Sequence, residues 1–484
     1  MGQFEMSKVK TISLALGGFL AGALISLHLP ALAEKDSPGA GLPIDDLRTF
    51  ASVYNAVKAA YVEPVEDKKM IANAISGMLS NLDPHSSYLD PDAYKDLQVS
   101  TQGEFGGLGI EVGMEDGLVK VVSPIEDTPA FRAGIKAGDL IFKLDDALVK
   151  GMTLNDAVKK MRGKPKTPIK LSIIRKGEAK PIEITLVREV IKVQSVKSKV
   201  VEPGYGWVRI TQFQETTGTS LVKHLGDLYK QGNLKGLVLD LRNDPGGLLN
   251  GAVGVSAAFL PPNAKVVSTD GRTEDAKQEF LARPSDYLRG TKEDYLKGLP
   301  AEIKKVPMVV LVNSGSASAS EIVAGALQDH KRAVIMGTQT FGKGSVQTVL
   351  PLPGNTAIKL TTARYYTPNG RSIQAKGIVP DILVEETANG TPMANSRVRE
   401  ADLERHLNND RDGDASKEAP KSEAKPEAKS APKAQPKPGK GGDKKEDAED
   451  ELPPRVEYAG KGDYQFAQAL NLLKGLQIMQ NKTQ

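Results

Sequence analysis

Residues 306–337 read "VPMVVLVNSGSASASEIVAGALQDHKRAVIMG". The opening "VPMVVLVN" is a nearly continuous apolar run, the mark of a strand buried on both faces. Serines at alternate positions come next, among them Ser316, Ser318 and Ser320 of the "SASAS" stretch. "SASEIVAGALQDH" then has the spacing of a helix, and "AVIMG" returns as a strand. This order predicts an α/β core with partly parallel strands, in which sites collect at the strand C-termini.

The same alternation extends upstream. "GYGWVRIT" (204–211) and "GLVLDL" (236–241) read as strands, with the helix "TGTSLVKHLGDLYKQG" between them. "NDPGGLLNGAVGVSAAFL" turns through Asp244, Pro245, Gly246 and Gly247 into another helix. The α/β core is expected over residues 189–385.

Downstream, "GTQTFGKGSVQ" (337–347) nearly matches a phosphate-binding loop. Gly337, Gly342 and Lys343 fit the pattern, but Gly344 fills the position that needs a hydroxyl for Mg²⁺. A helix must also open directly after the lysine. The residues after Gly344, "SVQTVLPLPGN", read instead as a strand and a turn. A nucleotide site is therefore set aside, and Lys343 between two glycines needs another reason.

Composition narrows the classes. The chain has 484 residues, 39% hydrophobic and 26% charged, long enough for two or three domains. A net charge of +4 gives no argument for nucleic acid. There are no cysteines, which excludes disulfides, thiol nucleophiles and iron–sulfur clusters together. The five histidines are scattered, and none forms a metal-binding pair. At the N-terminus, Lys8 and Lys10 precede an apolar run that ends in "ALA" before Glu34, the order of an export signal cleaved after Ala33. A retained membrane anchor is the alternative reading. Either way the rest of the chain is expected to work outside the cytoplasm, in the periplasm.

Residues 34–96 contain two amphipathic helices that end in "LDPHSSYLDP" (82–91), read as a helix-to-loop junction. Residues 97–188 form a β-rich unit, with an Asp116-Gly117 hairpin turn and a closing hairpin. Its "GLGI" loop, small helix, "AGDLI" strand and late amphipathic helix resemble a PDZ domain. That resemblance implies that Gly107, Leu108, Gly109 and Ile110 offer backbone N–H groups to a peptide's C-terminal carboxylate, while the neighbouring strand edge pairs with the peptide's last residues. Residues 386–453 are Lys/Glu/Ala/Pro-rich and are expected to be a disordered linker. Residues 454–484 hold a final amphipathic helix that must dock on its own core or on a partner.

Three features fall at strand C-termini: "DLRNDPGG" (240–247), "NSGSASASE" (313–321) and "FGKGSVQ" (341–347). A serine in the first turn of a helix lies where unpaired N–H groups stabilise a developing oxyanion. It needs a base. His330 sits at the far end of the same helix, well over about 10 Å away. Lys343 is the better base, provided its pKa falls from about 10.4 to about 7 or 8. That costs about 4 kcal/mol, which desolvation can supply. Flanking glycines let the backbone come close and bury the amine. On spacing alone Ser316 and Ser320 also fit the nucleophile, and they are assigned to capping and turn roles. Asp240 and Arg242 read as an ion pair, Asn243 and Asp244 as turn formers.

Taken together, "GSASASEIVAGALQD", "TFGKGSVQ", "LDLRNDPGG", "LDPHSSYLDP" and the PDZ-like unit resemble the C-terminal processing peptidases, or tail-specific proteases, from about residue 43 to 385. The resemblance implies Ser318 as nucleophile, Lys343 as general base and Gln347 as the group orienting the lysine. It also implies an oxyanion hole from the backbone N–H groups of Ala319 and Gly247, and neither cofactor nor metal. Expected partners are proteins or peptides with exposed C-terminal tails, an adaptor, and further copies of the chain through the terminal helices. A non-catalytic PDZ scaffold is the competing reading.

Overall fold

A computed structural model describes residues 43–411 and 457–482, apart from residues 126, 179, 291–292 and 389–397. The expected export signal, and most of the expected linker, lie outside the described residues. The chain divides into two units, one up to Ala74 and one from Ile75 onward. In the first, the helix Ile44–Ala60 begins with Asp45 and Asp46, which complement the helix dipole. Leu47, Phe50, Val53 and Val57 share one face of it and are exposed.

The apolar run at the centre of the second unit is the strand Met308–Val312, in which every residue is buried. It lies within a six-stranded sheet, ordered Val196–Glu202, Tyr205–Ile210, Gly236–Asp240, Met308–Val312, Val334–Gly337, Ile382–Leu383. The first pair is antiparallel, and every later pair is parallel. Side chains alternate between the two faces, as the strand period requires. On one face Leu237, Leu239, Val310 and Val312 pack beneath the helices Thr217–Lys230, Leu249–Phe259 and Ala319–Asp329. On the other, Trp207, Val238, Val309, Leu311 and Met336 are covered by the C-terminal helix Tyr464–Lys482 through Phe466, Ala469, Leu470 and Leu473. Each of those large side chains contributes about 1.5–3 kcal/mol on full burial. The terminal helix thus docks on its own core.

A second, antiparallel sheet joins Ser87–Leu89, Ser345–Leu352, Thr356–Tyr366, Lys265–Gly271 and Gln278–Leu281. It brings the end of the "LDPHSS" segment to one edge of the strand Thr356–Tyr366, whose other edge carries the strand that comes after Lys343.

The PDZ-like unit is entered and left through one antiparallel pair, Glu104–Gly107 with Glu189–Lys192. Its sheet runs Ile110–Glu115, Leu118–Pro124, Leu140–Leu144, Pro168–Ile174, Ile182–Val187 around a core of Val119, Val121, Ile141, Leu171 and Ile173. Asp116 and Gly117 both have positive φ, as the two-residue hairpin turn demands. The helix Leu154–Met161 begins with a capping box between Thr153 and Asp156.

One stretch departs from the composition-based expectation. Residues 398–411, within the span read as a linker, pack on the core. Glu400 is fully buried, and Tyr366 donates its hydroxyl to Asp410 at 2.5 Å. Among the described residues no helix is long and apolar enough to cross a membrane.

Candidate active site

The strand ends Asp240, Val312 and Gly337 lie along one edge of the parallel sheet, and the loops leaving them converge. The three alternate serines separate there by environment. Ser316 is fully buried, donating to the Leu241 carbonyl at 2.8 Å and accepting from Asn313 N–H at 3.0 Å. Ser320 is fully buried and donates to the Asp244 carbonyl at 2.9 Å. Ser318 alone lines a cleft of about 780 Å³, together with Gly247, Ala319, Lys343, Gln347, Lys359 and Tyr365. Its backbone sits at φ 56°, ψ −113°, a sparsely populated conformation for a residue with a Cβ. Such strain costs about 1–3 kcal/mol and persists only where surrounding bonds enforce it.

The enforcing group is Glu321, fully buried one turn into the helix. Its Oε2 accepts the N–H of Ser318 at 2.8 Å and of Lys343 at 2.9 Å. Its Oε1 accepts the Thr340 hydroxyl at 2.5 Å and the Gly342 N–H at 2.7 Å. All four partners donate, which is the geometry of a carboxylate. Burial pushes this carboxyl up to about 7, and the donors oppose that rise.

Lys343 is half-buried. Desolvation holds its amine below the ordinary lysine value, and the like charge of Lys359 adds to this; Glu400, Glu321 and Asp83 act the other way. Lys359 has no carboxylate partner among the described residues. Tyr365 is buried, donates its hydroxyl to the Lys343 carbonyl, and lies within hydrogen-bonding reach of Ser318.

Gln347 lines the cleft, but its amide nitrogen donates to the hydroxyls of Ser345 at 3.0 Å and Thr361 at 3.3 Å. From Thr361 a polar chain runs into the "LDPHSS" segment. The Thr361 hydroxyl donates to Asp83 at 3.1 Å, and Asp83 also accepts from the Ser86 hydroxyl at 2.7 Å. His85 Nε2 lies 2.8 Å from Glu400, which in turn accepts from Gln374 at 2.8 Å. Gln374 closes the circuit by accepting the Gly344 N–H at 3.0 Å. The junction reading of this segment missed these links, because they join it to residues about three hundred positions away.

On the facing loop Gly246 and Gly247 have φ of 98° and 146°. A Cβ on Gly246 would fall 2.7 Å from the Ser318 Cβ, so the loop backbone lies directly against the candidate nucleophile. Among the described residues, neither the Gly247 nor the Ala319 N–H has an acceptor. Asp244 is fully buried beneath this loop, with one oxygen accepting the Gly246 N–H at 2.9 Å and the other unpartnered among the described residues. Desolvation pushes its carboxyl up to about 8.

In the PDZ-like unit the Leu108 and Gly109 carbonyls accept from Ala130 N–H and Ile125 N–H. Their own N–H groups have no acceptor among the described residues. Gly109 has φ 77°, and a Cβ there would meet Thr128 at 2.2 Å. Gly107 ends the preceding strand, and Ile110 opens the sheet's outer strand, whose second edge is unpaired among the described residues.

The chain matches the model of peptidase family S41 over residues 204–384, of PDZ domains over 106–186, and of the "activating protease CtpB N-terminal domain" over 29–93. It is 49% identical to the carboxy-terminal-processing protease of Bartonella bacilliformis, over 76% of this chain and 82% of that one. The chain belongs to the carboxy-terminal processing proteases. With carboxy-terminal processing protease CtpA of Bacillus subtilis the identity is 36%, over 73% of this chain and 72% of that one. Among solved structures, the photosystem II D1 C-terminal processing protease aligns with TM-score 0.39 and 30% identity, over 70% of this chain and 92% of that one. The protein is thus a serine-type peptidase with an S41 core and a PDZ domain.

The geometry of this carboxy-terminal processing protease yields two predictions. Gly344→Ser would complete the phosphate-loop pattern, yet its Cβ would fall 2.4 Å from the Gln374 backbone nitrogen. The variant should lose about 2 kcal/mol or more in urea unfolding and gain no nucleotide binding by calorimetry. Asp244, with a folded pKa near 8 against about 3.9 unfolded, keeps its proton only when folded across that window. Stability should therefore fall as pH rises from about 4 to about 8, by up to about 1.4 kcal/mol per unit, and Asp244→Asn should flatten the trend in denaturant melts at pH 5 and pH 8.

Proposed function

We propose that the protein is a periplasmic endopeptidase that takes hold of C-terminal tails through its PDZ domain and cuts them with a Ser318–Lys343 dyad by way of an acyl-enzyme. The observation that carries this reading is the sorting of the three serines. Ser316 and Ser320 are consumed by the fold, while Ser318 lines the cleft that Lys343 also lines.

Lys343 enters the reaction neutral. It accepts the Ser318 proton as Oγ adds to the scissile carbonyl carbon, and the carbonyl oxygen takes up negative charge toward the Gly247 and Ala319 N–H groups. Each such donor is worth about 10²–10³ in rate. The C–N bond then breaks as the lysinium returns its proton to the leaving amine. A water attacks the ester by the same route, with Lys343 again the base, and frees the acid and Ser318. Gln347, bonded to Ser345 and Thr361, orients the lysine by fixing the strand next to it in sequence. The N–H groups around Gly107 to Ile110 receive the tail's carboxylate, and its last residues extend along the open edge of Ile110–Glu115. The exposed apolar face of Ile44–Ala60 supports self-association.

Cleavage of an unfolded reporter with an apolar C-terminal tail tests the reading. Ser318→Ala and Lys343→Ala should each lower kcat by at least about 10³-fold with tail binding retained. Full activity in either variant would sink the dyad. The pH profile gives a second test. kcat/KM should rise with pH through a limb below the ordinary lysine value, as Lys343 loses its proton. Lys359→Met removes the neighbouring positive charge, so Lys343 should hold its proton longer and the limb should move to higher pH. An unmoved limb would assign the titration to another group.

A further inference from the structure

The C-terminal segment does more than cover the sheet. Arg242 lies just past the strand Gly236–Asp240 and precedes Gly247 by one short loop. Its buried guanidinium is shared between two carboxylates. Asp240 accepts at 2.9 and 2.7 Å, and Asp463, 221 positions along the chain, accepts at 2.8 and 2.7 Å. Asp463 also accepts the N–H groups of Ala459 at 2.9 Å and Phe466 at 3.1 Å, so one side chain starts the terminal helix and grips the loop.

A second grip lies beside it. The Tyr458 hydroxyl accepts from Asn243 Nδ2 at 2.7 Å, and its ring carries the Arg209 guanidinium 3.5 Å from its centre. Arg209 donates to the Arg242 carbonyl at 2.9 Å. Asn243 has φ 55° and exchanges hydrogen bonds with Asn313, at 2.9 Å from its N–H and 3.0 Å to its side-chain oxygen. Asn313 opens the loop to Ser318. One residue further, the Asp244 carbonyl accepts the Ala317 N–H at 3.0 Å and the Ser320 hydroxyl at 2.9 Å. The segment therefore touches the two residues from which the Gly246-Gly247 loop and the Ser318 turn are both suspended.

We propose that Asp463 and Tyr458 are positioning residues for peptide cleavage, delivered by the C-terminal segment to hold Arg242 and Asn243 so that the Gly246-Gly247 backbone stays against Ser318. This rests on the reading of Ser318 as nucleophile and of Gly247 as oxyanion donor. A buried guanidinium that loses one carboxylate is left with uncompensated charge and moves toward water. The loop it anchors moves with it, and sub-ångström displacement of an oxyanion donor reaches kcat before it reaches substrate binding.

The test uses the full chain carrying Tyr458→Phe, Asp463→Asn or Asp463→Glu, with reporter cleavage, thermal unfolding and the rate of Ser318 labelling by a fluorophosphonate. Tyr458→Phe keeps the ring and deletes only the bond to Asn243. It should lower kcat about threefold to tenfold, leave KM within twofold and slow labelling in parallel, with the melting temperature unchanged. Asp463→Asn should lower kcat by more than tenfold, and Asp463→Glu should recover part of it. Should Asp463→Asn fail to fold, Tyr458→Phe decides alone. An active parent whose Tyr458→Phe and Asp463→Asn variants keep full kcat overturns the inference, leaving the segment a cover for the sheet. Losses of kcat that track only the folded fraction overturn it as well. A parent chain that neither cleaves nor labels overturns the Ser318 reading itself, and this inference with it.

Discussion

A single buried carboxylate sets the spacing of the candidate active site. Ser318 and Lys343 belong to different loops, at the ends of neighbouring parallel strands, and Glu321 accepts a backbone N–H from each on the same oxygen. Four donors on one carboxylate are costly to lose in a place without water, because any one left unpaired carries its full desolvation penalty. The strained backbone of Ser318 is a consequence of this bracket. The residue is held by its own N–H, and its side chain is left free to face the cleft.

Around that bracket the fold is arranged in layers. The parallel sheet supplies strand ends on one edge, three helices cover one face, and the terminal helix covers the other. The antiparallel sheet supplies Lys359 and Tyr365 to the cleft, and the loop leading into that sheet supplies Lys343. The PDZ domain reaches the same cleft through the helix Pro91–Gln102. Asp92 and Asp96 of that helix pair with Lys159 and Arg162 at 2.8 and 3.0 Å, and Leu97, Thr101 and Gln102 line the cleft. These exposed pairs are each worth little.

Much of this was legible in advance. The short, β-branched apolar run at 306–313 has the length and composition of a strand covered on both sides, and the turn residues at 243–247 and 313–318 mark where the chain leaves the sheet. Lys343 follows from elimination among the possible bases, whereas Ser318 is singled out among the serines only by the family motif. Glu321, Tyr365, Asp83 and Glu400 were not legible, although a signal existed for one of them. Glu321 stands three residues beyond Ser318, the spacing of a capping box. The composition-based boundary at residue 386 ran too early, since the buried Glu400 and the Asp410 partner of Tyr366 lie in a stretch whose polar residues resemble the linker beyond it.

By itself, the sequence determined everything that depends on neighbours along the chain: strand and helix periods, the glycines that permit positive φ, the lack of thiols and the order of the domains. Only the tertiary structure decided which of three equivalent serines stays free, because that depends on carbonyls at Leu241 and Asp244 more than seventy positions away. It also decided where the terminal helix goes. An amphipathic pattern states that an apolar face must be covered, but not by which surface. Here a sheet with one bare face, and a buried guanidinium short of a second carboxylate, made the choice.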